Sequence, residues 1–146
     1  MIAIVQARRG STRLPDKILM SLNDERSILE IVLSKCIDAF GSRRVVVATT
    51  EESADDAVVD LSTNLGCHVY RGSTQDVLGR FVGVCGEFSD EHVLRVCSDN
   101  PFILSEDMLR LAELHSNMGS DYTAYSLDGV PSIRTHTGLW AEAVSR

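Results

Sequence analysis

Four short apolar runs divide the first hundred residues, and an amphipathic stretch follows each. Ile2–Gln6 (IAIVQ), Arg44–Thr49 (RVVVAT), Cys67–Tyr70 and His92–Cys97 (HVLRVC) are almost continuously hydrophobic. Runs of that length suit strands buried on both faces of a parallel sheet. After the first run, Ile28, Ile31, Val32, Lys35 and Cys36 recur at helical spacing behind Ser27, which predicts an N-cap there and a stop at Gly41. After the second, Ser53 followed by Asp56 resembles a capping box with the shorter acid. Ala57, Val58, Leu61 and Leu65 supply its apolar face, and Gly66 ends it. Ser73 or Thr74 opens a third helix through Val77, Leu78, Phe81 and Val84. Ser105, with Glu106 and Asp107 in the first turn, opens a fourth through Met108, Leu111 and Leu114.

Strand and helix thus alternate four times. That order predicts a three-layer, Rossmann-like α/β fold with a mainly parallel sheet. Right-handed crossovers put the strand order near 3-2-1-4. Beyond the fourth helix the pattern changes: Asp121–Leu127 reads as a strand, Asp128-Gly129 as a hairpin turn, and Val130–Ile133 as the return. No linker, repeat or low-complexity segment interrupts the chain, so residues 1–146 read as one domain.

Composition narrows the partners more than the fold. The formal charge is 14 − 21 = −7, which argues against a nucleic-acid-binding surface. Four basic residues nevertheless fall within ten positions, Arg8, Arg9, Arg13 and Lys17, a local positive potential suited to a small anionic ligand. Cys36, Cys67, Cys85 and Cys97 are widely spaced among apolar neighbours, with no CxxC pair, and read as reduced buried thiols. The apolar run at the N-terminus is too short for a signal segment or a membrane span, and a cytoplasmic location is expected.

Ligands of open α/β sheets bind beyond the carboxyl ends of the strands, so the loops after the first and fourth strands should meet in one crevice. The first loop is QARRGSTRLPDK, Gln6–Lys17. Gly10 allows close backbone approach, Arg8 and Arg13 offer forked donors, and Lys17 offers a mobile point charge. It is not a Walker loop, since GxxxxGK[ST] is absent. The alternative is a solvated basic turn. The second loop is Cys97-Ser-Asp-Asn-Pro-Phe102, in which Asp99 can hold Mg²⁺ against phosphate oxygens or simply cap a turn. A third segment, Arg71–Arg80, contains Gly-Ser-Thr and Asp76, which need do no more than open a helix. His68, His92, His115 and His136 show no metal-ligand spacing.

Taken together these segments are far more specific. QARRGSTRLPDKIL resembles the QAR-x-GSTRLP-GK-x-L signature of the CMP-sugar synthetase-like cytidylyltransferases, and it looks most like the spore-coat polysaccharide biosynthesis branch. VVVATTEESADDAVVDLSTNLGCHVYRGSTQDVLGRF and RVCSDNPFI continue the likeness in order and spacing, from residue 2 to about residue 127. The resemblance implies a nucleotidyltransferase fold and activation of a sugar or sugar acid with CTP. It implies that Ala7, Arg8, Gly10, Ser11, Arg13 and Lys17 cradle the triphosphate, with Arg8, Arg13 and Lys17 as the catalytic cations. It further implies Arg71, Ser73 and Asp76 near base and ribose, and Asp99 as a ligand of Mg²⁺.

Two departures bear on turnover. The resembling family has glycine after the loop's proline, where this chain has Asp16. Its later Gly-Leu-Asp-x-Glu landmark corresponds here to Gly138-Leu-Trp-Ala-Glu142, so Trp140 replaces an acid, and Glu142 can substitute only if its strand enters the same crevice. The chain also looks shorter than the family domain, so weak binding and poor turnover are expected. The competing expectation is a nucleotide-binding or scaffold protein without turnover. Apolar Val130, Leu139 and Trp140 predict a homodimer formed through the C-terminal hairpin.

Overall fold

A computed structural model of the chain describes residues 1–10, 14–23, 25–135 and 141–146. Six strands form the central sheet: β1 (Ile2–Gln6), β2 (Val45–Thr50), β3 (His68–Gly72), β4 (His92–Cys97), β5 (Tyr122–Ala124) and β6 (Ala141–Ser145). Their order is β3-β2-β1-β4-β6-β5. The first four are parallel, with Gln6 level with Ala48 on one side and Cys97 on the other. The predicted 3-2-1-4 core is therefore present.

The sheet extends further than the sequence pattern indicates. β6 lies antiparallel to β4, with Glu142 opposite Arg95, and β5 pairs outside β6. The expected single strand 121–127 is divided into β5 and a separate two-stranded ribbon, Ser126–Leu127 with Val130–Pro131. Asp128 and Gly129 both take positive φ, 51° and 79°, the conformation that a two-residue hairpin turn requires and that Asp-Gly supplies.

Helices α1 (Ile28–Phe40), α2 (Asp56–Asn64) and α4 (Ser105–Met118) cover one face, and α3 (Val77–Glu87) covers the other. Strand alternation divides the core between them. Ala3, Val5, Val47, Leu94 and Val96 pack with Leu29, Val32, Val58 and Met108, while Ile2, Ile4, Val46 and Val93 pack with Val84. Beside α3 the second face is partly uncovered, an apolar groove of about 750 Å³ lined by Phe81, Val82, Val93 and Val144 among others. Among the described residues, no helix is long and apolar enough to cross a membrane.

Ser27 caps α1 as predicted and forms a full capping box with Glu30. The other three predicted caps are displaced. A 3-10 turn, Ser53–Asp55, precedes α2, and no side chain caps that helix. Asp76 caps α3 by accepting from the Gly79 amide at 2.7 Å, so Ser73 and Thr74 lie before the helix. Ser105 begins α4, and its hydroxyl donates to the Lys35 carbonyl at 3.0 Å. Leu78, expected on the apolar face of α3, is 73% exposed, and the buried positions there are Arg80 and Val84.

Candidate functional site

The loop after β1 is closed at its base by a clamp. Asp16 donates its amide to the Arg9 carbonyl at 3.3 Å, and the Arg9 guanidinium grips the Asp16 carboxylate through Nε at 2.7 Å and Nη2 at 3.0 Å. That hydrogen-bonded pairing holds the Asp16 carboxyl below the usual carboxylate range and raises Arg9. The negative charge that Asp16 adds to the loop is thereby matched locally. Residues 11–13, including the candidates Ser11 and Arg13, lie outside the described residues.

A buried carboxylate anchors the same loop to β2. Asp55 is 3% exposed, accepts the Arg9 backbone N–H at 2.7 Å and takes the Thr50 hydroxyl on its other oxygen. Sequence patterning points to Ser53 and Asp56 in this segment and misses Asp55. No local spacing marks it: Asp55 lies five residues beyond the end of β2, at the end of the short turn that precedes α2.

Ala7 is buried and donates its amide to the Ala48 carbonyl at 3.1 Å, which continues the β1–β2 pairing into the loop. Arg8 is exposed, with its guanidinium 3.5 Å from the Thr74 carbonyl. Gly10 is exposed, and a Cβ there would meet no atom within 4 Å, so the backbone faces open space. Lys17 Nζ contacts the Asp99 carboxylate. The expected convergence of the first and fourth strand loops is thus made by direct contact between Lys17, one of several candidates in the first, and Asp99 in the second. Both members are partly exposed, at 32% and 43%, and exposed ion pairs of this kind are worth about 0–1 kcal/mol, so a ligand can readily separate them.

The loop carrying Asp99 is braced from behind. Lys35 on α1 donates to the Pro101 carbonyl at 2.8 Å, and Pro101 and Ile103 are buried. Asn100 is also buried, and its Nδ2 has no acceptor among the described residues. Asp99 presents one accessible carboxylate, a hard oxygen donor of the kind Mg²⁺ shares with phosphate oxygens, so the donor chemistry fits that ion. Among the described residues, no group of three or more His, Cys, Asp or Glu side chains converges as a ready-made metal site.

Glu142 is buried and its carboxylate is committed elsewhere. One oxygen is paired with Arg95 and the other accepts the Tyr122 hydroxyl at 2.6 Å. Burial first, and then Glu142, push the Tyr122 hydroxyl up to about 12. The β6 register sets Glu142 opposite Arg95, two residues before the end of β4 and four before Asp99, which lies in the turn beyond the strand. Trp140 lies outside the described residues.

The third candidate segment is occupied by local bonds. Arg71 donates to the Thr50 carbonyl at 2.9 Å, to Asp56 at 2.7 Å and to the Glu52 carbonyl at 2.9 Å, tying β3 to the loop after β2. The Ser73 hydroxyl accepts from the Gln75 and Asp76 amides, each at 3.2 Å, and Asp76 is the α3 cap. Beside them stands Arg80, 1% exposed and absent from the sequence-derived candidates.

Comparison with known proteins agrees with this arrangement. The family model described as cytidylyltransferase matches residues 2–136. An uncharacterised protein of Methanocaldococcus jannaschii is 38% identical over 124 residues, 85% of this chain and 51% of its own length. The spore coat polysaccharide biosynthesis protein SpsF of Bacillus subtilis is 36% identical over 127 residues, 84% of this chain and 52% of its own. The solved structure of a cytidylyltransferase from Leptospira borgpetersenii superposes with a TM-score of 0.85 at 29% identity, covering 99% of this chain and 59% of that one. This chain spans about half the length of the curated relatives it matches. A nucleotidyltransferase-type sheet, a basic loop meeting an acid beyond its parallel strands, and a match across most of the sequence lead to one assignment: the chain belongs to the cytidylyltransferase family.

Proposed function

We propose that the crevice beyond β1 and β4 binds CTP with Mg²⁺, and that the chain serves CTP-dependent activation of a sugar or sugar acid for surface polysaccharide biosynthesis. The observation that carries this reading is the contact between Lys17 and Asp99, a cation and an acid from two separate strand loops. In the reaction, a sugar hydroxyl oxygen forms a bond to the α-phosphorus. The bond from that phosphorus to the bridging oxygen breaks, and pyrophosphate leaves. Such chemistry asks mainly for positioning and charge neutralisation. Lys17, Arg8 and the Gly10 backbone are suited to the phosphates, with Arg13 and Ser11 in the same loop. Asp99 would hold the metal, whose contribution is to neutralise charge on the phosphates and leaving group. Arg71, Ser73 and Asp76 support the base end by fixing the loops around it.

A specific observation favours a second reading, nucleotide binding with little turnover. The Glu142 carboxylate is occupied by Arg95 and Tyr122, so it does not join Asp99 as a second acid. Calorimetry with CTP, UTP, ATP and GTP, each with and without Mg²⁺, tests the binding. Lys17→Ala should weaken CTP about ten-fold, the loss of one charge-assisted phosphate contact. Unchanged affinity in the folded variant would make the loop a solvated turn. Pyrophosphate release dependent on Asp99 decides between the two readings.

The same reading includes a homodimer. The exposed Leu127 and Val130 of the ribbon supply an apolar contact, and sedimentation should detect a dimer that Leu127→Glu dissociates. Monomer alone at high concentration would contradict it.

A further inference from the structure

Of the four basic residues in the first loop, Arg9 is committed to the loop itself. Its amide donates to the Asp55 carboxylate at 2.7 Å, and its carbonyl accepts the Asp16 amide at 3.3 Å. Its guanidinium holds Asp16 through Nε and Nη2 and reaches the Ala54 carbonyl through Nη1 at 2.9 Å. The residues on either side, Arg8 and Gly10, are both exposed. Arg9 is thus the point at which the loop is drawn inward, and Asp55 receives its backbone.

Asp55 is itself held in place from β3. Arg71 donates to the Thr50 and Glu52 carbonyls, each at 2.9 Å. The Glu52 amide donates to Thr50 Oγ1 at 3.3 Å, and the Asp55 amide donates to the Glu52 carbonyl at 2.9 Å. The Thr50 hydroxyl in turn donates to the second Asp55 oxygen. A continuous series of hydrogen bonds therefore runs from β3, through the turn after β2, to the loop after β1.

A carboxylate has the wrong sign to attract a polyphosphate, and its repulsion is strongest where water is excluded. What Asp55 offers is geometry. It is 3% exposed, and a buried carboxylate accepting an amide fixes the backbone at that point. Binding groups held by such a supporting layer meet a ligand already arranged, so less order is lost when it arrives.

We propose that Asp55 is a positioning residue for the phosphate loop, acting through the Arg9 amide to hold Arg8, Gly10 and Lys17 in the arrangement that receives the β- and γ-phosphates. Its contribution is an acceptor oxygen in a fixed place, and its charge opposes the ligand. This rests on the nucleotide-binding reading above.

Calorimetry on the full chain with CTP and CMP, both with Mg²⁺, separates acceptor from charge in two variants. Asp55→Asn keeps an oxygen for the Arg9 amide, and its NH₂ donates to Thr50 Oγ1, which accepts as well as donates. It should bind CTP as tightly as the unaltered protein, or more tightly. Asp55→Ala removes the acceptor and should weaken CTP about ten-fold. CMP, which lacks the β- and γ-phosphates, should change by less than about three-fold. A merely structural Asp55 would weaken both nucleotides alike. The positioning role is overturned if folded Asp55→Ala keeps its CTP affinity, if CMP falls with CTP, or if Asp55→Asn binds as weakly as Asp55→Ala. Hydrogen exchange on the unaltered, ligand-free protein decides the matter if Asp55→Ala does not fold. The Arg9 amide should exchange at least about ten-fold more slowly than in an unstructured chain, and an unprotected amide overturns the role. Failure of the unaltered protein to bind either nucleotide overturns the nucleotide reading, and this role with it.

Discussion

Asp16 holds a left-handed backbone conformation, φ 58°, at the position where the resembling family carries glycine. Glycine enters that region without penalty, whereas a side chain with a Cβ pays about 1–2 kcal/mol, and Asp is among the few that tolerate it. Here the aspartate compensates through its bidentate contact with Arg9. Asp16→Gly and Asp16→Ala both lose that contact and differ mainly in the backbone term. Asp16→Gly should therefore be the more stable by about 1 kcal/mol in urea denaturation; equal stabilities would show that the turn relaxes. Residue chemistry was only partly legible in the sequence. Lys17 and Asp99 are legible because each lies in the loop that follows a recognisable strand. Asp55 and Arg80 are not, because burial singles them out, and nothing in local spacing announces that an acid or arginine will be enclosed by distant elements.

At the scale of elements, the strands were legible because their apolar runs are short and nearly unbroken, while helix starts were not. Serine appears at each expected cap, yet three of the four use their hydroxyls elsewhere or leave the helix uncapped. A histidine network joins α4 to the sheet. His115 is fully buried, with Nδ1 2.8 Å from Thr123 Oγ1 and Nε2 3.2 Å from Ser145 Oγ. Ser145 Oγ also meets His92 Nδ1 at 3.3 Å and donates to the Ser120 carbonyl at 2.8 Å. With that donation made, both ring nitrogens facing Ser145 donate to it, and burial favours the neutral His115 ring, whose Nδ1 then accepts from Thr123. Burial, then His92, hold its pKa below the ordinary 6.5, opposed by Asp121. Between that depressed value and 6.5 the unfolded chain binds a proton that the folded chain does not. Stability is thus fully retained above 6.5 and lost as the pH falls through it. The urea midpoint should drop from pH 7.5 to 5.5, and His115→Asn, although less stable at pH 7.5, should drop less. An equal drop in the variant would place the titration elsewhere.

For the whole molecule, strand–helix alternation and crossover handedness lead to the 3-2-1-4 core, but not to β6. A five-residue antiparallel strand contributed from the last residues pairs with β4 across a large sequence separation, and no local pattern specifies that partner. The insertion also determines the site, since the register of β6 directs Glu142 to Arg95 and Tyr122 and leaves Asp99 with Lys17. On the proposed reading the β1 and β4 loops form one nucleotide crevice. Amide chemical shifts followed by NMR while CTP and Mg²⁺ are added test it most directly. The largest changes are predicted at Arg8–Gly10, Lys17 and Ser98–Asn100, saturating together. Saturable changes confined to the groove beside α3 or to the 126–131 ribbon, with those loops unmoved, would contradict it.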